Sequence, residues 1–151
     1  MSAKISLLRE LLMEYSLVIV DLNGKILYSS REDGIKPVVE AVVVAGGLID
    51  NNIVADRIIG KAAALIIANR RPQLVFGTVM SKGAVNLLRD LGISYSFEKL
   101  VEVIKGKTKS ICPFEEFVKD INDPKEALIK IVTRYFPHLR EKACEFIGSG
   151  L

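Results

Sequence analysis

Tryptophan is absent from this 151-residue chain, histidine occurs once, at His138, and cysteine twice, at Cys112 and Cys144. A lone histidine cannot supply a metal site that needs several nitrogen or sulfur ligands. Two cysteines with no CxxC pair make no disulfide framework in a chain of this size, which points to a reducing compartment. An excess of one charge is also missing. Lysine and arginine number 21 against 18 acidic residues, a net charge of +3, too balanced to suggest nucleic acid as a partner. Long hydrophobic runs are lacking as well. Half the residues are hydrophobic and mean hydropathy is +0.31, yet Leu17–Val20, Ala41–Ala45 and Ala62–Ala68 fall far short of the roughly 18–20 residues that span a bilayer. Lys4, Arg9, Glu10 and Glu14 sit in an amphipathic pattern unlike a signal peptide. The expectation is a cytoplasmic protein, not membrane-bound, with a large core or a sizeable apolar subunit interface.

What is present reads as alternating helices and strands. Ile5, Leu8, Leu11 and Leu12 recur at helical spacing over 3–14. Leu17–Val20 and Lys25–Tyr28 flank Asn23-Gly24, a pair suited to a type I′ hairpin turn. Pro37–Ala45 reads as a short buried helix stopped by Gly46-Gly47, with strand as the competing assignment because of its Val-Val-Val run. Residues 55–69 read as a central helix, apolar on nearly all sides and hence buried. Leu74–Met80 is a buried strand, and Ser81 is the N-cap candidate of a helix over 82–91 that closes at Gly92. Ile93–Phe97 alternates as a strand. Cys112-Pro113-Phe114-Glu115 opens another helix, with Cys112 at the N-cap and Glu115 at N3. Asp123-Pro124 opens the next, whose stripe is Leu128, Ile131, Val132, Tyr135 and Phe136. This order describes a three-layer α/β/α sandwich with a mixed sheet.

The polar end of the central helix is the candidate site. Arg57 and Lys61 are spaced i, i+4 near a helix N-terminus, where the macrodipole disfavours cations. Either Asp56 and another acid neutralise them or an anion binds there. The segment Lys105-Gly-Lys-Thr-Lys109 reads as a solvated loop. Its likeness to a phosphate-binding loop fails because the earlier glycine would fall at Val101.

Val18–Asp21 with its hairpin, Val54–Ala64, Ser81-Lys82, Ser94–Val101 and Ile111–Glu115 together resemble a prokaryotic domain-of-unknown-function family, number 1893, within the cytidine deaminase-like superfamily. The resemblance covers roughly residues 15–125. It implies a deaminase-like domain over 1–125 and a C-terminal helical extension over 126–151 packed on it. Zinc deaminases of that fold hold their metal with a His/Cys-x-Glu and a Pro-Cys-x-x-Cys motif at two helix starts. Those starts should correspond here to Ala55-Asp56-Arg57 and Ser81–Ala84. Neither carries cysteine or histidine, so a zinc-free protein without a cofactor is expected.

In place of zinc, two helix N-termini at one sheet edge would form a positive pocket for a small anionic or nucleotide-like molecule. Arg57, Ser81, Lys82 and Glu115 are its candidate ligand-binding residues, and Lys61, Asp56 and Cys112 the candidate catalytic ones. The zinc-free formyltransferase domains of purine synthesis, which use a lysine, look like a precedent. The bland alternative makes Asp56 and Ser81 simple N-caps. Cys112 opens a second class, a thiol enzyme or sulfur carrier whose thiolate gains from the helix dipole; the competing role is a small residue holding the Cys-Pro turn. A third class is a non-catalytic assembly protein. The apolar stripe of residues 128–136 either meets a second copy in a homodimer or docks on its own domain.

Overall fold

The computed structural model describes residues 2–106 and 108–149, and Lys107 of the basic segment lies outside them. Five strands form one mixed sheet in the order β2-β1-β3-β4-β5. The strands are β1 (Leu17–Val20), β2 (Ile26–Ser30), β3 (Ile53–Ile59), β4 (Leu74–Ser81) and β5 (Tyr95–Val101). β1 runs antiparallel to both β2 and β3, whereas β3, β4 and β5 are mutually parallel. The helices are α1 (Ser2–Glu14), α2 (Lys36–Ala45), α3 (Lys61–Ile67), α4 (Lys82–Asp90), α5 (Pro113–Val118), α6 (Pro124–Tyr135) and α7 (Arg140–Ser149).

The β1–β2 hairpin forms as expected but with a different turn. Gly24 adopts φ +90° while Asn23 keeps a negative φ, so the type I′ turn is replaced by a three-residue loop with Gly24 alone left-handed. Asp21 Oδ1 accepts hydrogen bonds from the Asn23 and Lys25 N–H groups, both at 2.9 Å, and holds that loop.

The central helix expected over 55–69 is half strand. Residues 53–59 form β3, Gly60 caps, and only Lys61–Ile67 are helical. β3 is covered on both faces and paired on both edges, so its sequence does not alternate. Ala55 and Ala62–Ala64 then make the whole stretch look like one helix. β5 also runs later than expected, to Val101, and its outer residues are exposed because it forms the sheet's edge.

α1 covers one face of the sheet alone. Leu8 and Leu12 pack with Val18, Val20, Ile53, Ala55, Leu74 and Phe76. The other face carries α2, α3 and α4, and α6 packs on the outside of α3. Every residue from Ala62 to Ile67 is buried. Leu128, Ile131 and Val132 of the stripe are fully buried in that second core. Tyr135 packs its ring 4.6 Å from Phe114 and 5.5 Å from Phe117 of α5. The stripe therefore docks on its own chain. No helix among the described residues is long and apolar enough to cross a membrane.

Candidate functional site

The carboxyl ends of β3, β4 and β5 share one edge of the sheet, because these strands are parallel and in register. α3 and α4 start directly from the ends of β3 and β4, so both helix N-termini face that edge. Open α/β sheets place their ligands there. Glu115 forms part of the walls of two cavities at this edge.

The first cavity, of about 430 Å³, is lined on its polar side by Ser16, Asp56, Arg57, Cys112 and Glu115. Ile35 and Val38 at the start of α2, Ala62 and Ala63 of α3, and Pro113 and Phe114 of α5 give it an apolar lining. Asp33 and Lys105 stand exposed at its rim. The second cavity, of about 520 Å³, lies on the α4 side and takes in Lys61, Ser81, Glu102, Glu116 and Lys119.

Asp56 is the unusual group. It sits inside β3 only 8 % exposed. Its Oδ1 accepts a hydrogen bond from the Ile58 N–H at 3.1 Å, and no side chain among the described residues bonds its carboxyl. Burial pushes its pKa up to about 7 from 3.8, against the backbone hydrogen bonds and the nearby Arg57 charge, which pull it down.

The three expected cations do not converge. Neighbours on a strand point to opposite faces, so Arg57 turns away from Asp56 toward α1. Its guanidinium donates to the carbonyls of Leu12 (Nε, 2.7 Å) and Met13 (3.2 Å), closing the C-terminus of α1. Lys61 Nζ donates to the Lys119 carbonyl at 2.9 Å, at the end of α5. Lys82 pairs with Glu102 at 2.5 Å on the surface and is part of neither cavity wall. Ser81 is buried and caps α4, its Oγ accepting from the Ala84 N–H at 3.1 Å. That is the bland role for Ser81, and Asp56, being on a strand, caps no helix.

The N-terminus of α3 is already filled by an anion of the chain itself. Glu115 Oε1 accepts from the Lys61 N–H at 2.8 Å and Oε2 from the Ala62 N–H at 2.9 Å. Glu115 therefore does not form a capping box in its own helix, and the Cys112 N–H donates instead to the Ile104 carbonyl at 3.1 Å. Gly60 is required for this approach: a Cβ there would lie 2.6 Å from the Glu115 carboxyl carbon. The structure thus separates Arg57, Lys61 and Lys82 from one another, while Asp56, Cys112 and Glu115 line one cavity with Arg57 also in its wall. Gly60, Ser16 and Phe114 join them there, and of these only the glycine break before Lys61 leaves a sequence signal. Among the described residues, no three of His, Cys, Asp and Glu cluster as metal ligands.

Lys61 Nζ thus ties the start of α3 to the end of α5. Lys61→Ala should lower stability by about 1 kcal/mol, the value of one largely solvated hydrogen bond. A thermal melt showing the variant more stable than the wild type would contradict this.

The fold and the cavity define an α/β protein with a five-stranded mixed sheet and a small-molecule-sized cavity at the carboxyl edge of its parallel strands. The chain belongs to the DUF1893 family, a domain of unknown function, whose profile matches residues 7–135. That span takes in α6. It is similar to the crystal structure of TM1506, a DUF1893 family protein from Thermotoga maritima, with 28 % sequence identity and a TM-score of 0.79. The match covers 89 % of this chain and 92 % of that one. No curated protein matches.

Proposed function

We propose that the chain binds a small nucleotide-like molecule in the 430 Å³ cavity, without zinc, and that Asp56 anchors its base. The observation that carries this reading is a buried carboxyl in the wall of a largely apolar cavity at the carboxyl edge of the sheet. A carboxyl with a pKa of about 7 is present in both protonation states near neutral pH. Its protonated form donates through the O–H and accepts through the carbonyl oxygen, which suits the mixed donor–acceptor edge of a nucleobase. Phe114 and Pro113 offer flat apolar surface beside it. A phosphate alone is the poorer fit. Arg57 and Lys61 are committed to backbone carbonyls, and Glu115 already occupies the N–H groups at the start of α3. The fold-level kinship with cytidine deaminase-like proteins belongs to this proposal too, supported by the residues of the resemblance and by the mixed five-stranded sheet.

Thermal melts with cytosine, adenine, their nucleosides and inorganic phosphate test this reading. A base or nucleoside at about a hundred times its Kd should raise the wild-type Tm by roughly 5 °C or more, and Asp56→Asn should abolish the shift. No shift from any base or nucleoside, or an equal shift in both proteins from phosphate alone, would overturn it.

A further inference from the structure

We infer that the ligand of the 430 Å³ cavity is a nucleoside monophosphate, with its base inside on Asp56 and its phosphate at the mouth on Lys105. This rests on the binding reading above and narrows its ligand class, from a separate observation. The basic segment after β5, expected as a solvated loop, folds back on itself. Lys105 bridges to Ile111, and the Gly106 N–H donates to the Ser110 carbonyl at 2.7 Å. The bond from the Cys112 N–H to the Ile104 carbonyl ties the base of this small hairpin to the start of α5. Lys105 and Gly106 are thereby built into the cavity wall, whereas Lys109 of the same hairpin is not part of it.

Two cations belong to that wall, Arg57 and Lys105. Arg57 is spent on the carbonyls of Leu12 and Met13. The Lys105 ammonium makes no ion pair or hydrogen bond to any described residue. Glu102, which borders the neighbouring groove together with Lys105, is already paired with Lys82. An exposed and uncommitted ammonium at the mouth of an apolar cavity suits a phosphate, which stays in water while the base is buried. The hairpin's backbone offers no second cradle, because the Gly106 and Lys109 N–H groups both donate within it. The phosphate is therefore read by charge. Asp33, exposed at the same rim, also makes no hydrogen bond or ion pair to a described residue. A carboxylate repels phosphate and accepts hydroxyl protons, so the ribose falls to the Asp33 side.

Isothermal titration with adenosine, cytidine and their 5′-monophosphates at low salt tests this. For whichever base binds, the monophosphate should bind roughly five- to tenfold tighter than its nucleoside. That gap should close in about 0.5 M salt, which screens an exposed pair. Lys105→Ala should erase the gap and leave the nucleoside Kd unchanged, and Lys105→Arg should restore most of it. Lys109→Ala removes the same charge outside the cavity wall and should keep the gap. A monophosphate no tighter than its nucleoside, or a gap erased as fully by Lys109→Ala as by Lys105→Ala, sinks the phosphate seat and leaves the base-binding reading standing. Binding of neither nucleosides nor monophosphates overturns both.

Discussion

Replacing Glu115 by alanine should destabilise the fold by about 2–4 kcal/mol, from the loss of two charge-assisted hydrogen bonds at a helix N-terminus. For a domain of this size that is a fall of roughly 5–10 °C in Tm. The effect is large because of where the bonds lie. The Lys61 and Ala62 N–H groups have no intrahelical partner, and Ala62 is buried, so water cannot easily replace the carboxylate. α3 is also the element on which α2, α4, α5 and α6 all pack, so loosening its first turn disturbs the whole second core. Glu115→Gln keeps an acceptor oxygen for one N–H and should recover about half of the loss. Urea titration gives both values. An alanine variant within about 0.5 kcal/mol of wild type, the scale of an ordinary surface change, would mean that the Glu115 carboxylate does not hold α3.

The same contact shows where the sequence stops being informative. Asn23-Gly24, Ser81 and Asp123-Pro124 announce their turn and caps locally. Ser81 and Asp123 each bond the N–H three residues on. Residues 53–67 fail for a physical reason. A strand covered on both faces and a buried helix are both continuously apolar, and periodicity cannot divide them. The β-branched pairs Ile53-Val54 and Ile58-Ile59, with Gly60 behind them, were the available signal for a strand. The placement of Asp56, Arg57 and Lys61 on one helix end depends on that one reading. On a helix Asp56, Arg57 and Lys61 would share an end, whereas on a strand Asp56 and Arg57 must face opposite ways. Asp56, Cys112 and Glu115 meet in one cavity wall through tertiary packing of α5 against α3, which no local pattern encodes.

Asp56→Asn should make the protein more stable in alkaline solution, by about 2–4 kcal/mol above pH 8, and change little near pH 4. The sign comes from burial. Folding raises the Asp56 pKa from 3.8 to about 7, so the folded protein holds this proton more tightly than the unfolded chain does. Its contribution to stability is whole below about pH 4 and is lost as pH rises toward 7 and beyond. Asparagine keeps an oxygen for the Ile58 N–H and has no charge to desolvate, so the variant escapes that loss. Denaturant titrations of both proteins from pH 4 to pH 9 measure it, and parallel profiles would show that Asp56 is not the titrating group. The proposed binding role accounts for a residue that weakens its own fold near neutral pH, where an isostere would not. Cores exclude unpaired charge, and groups with strongly shifted pKa values gather at functional sites. The same variant that gains stability at high pH should lose the nucleobase-induced Tm shift. Stability and function would thereby move in opposite directions at one residue, whereas a purely structural carboxyl would move stability alone.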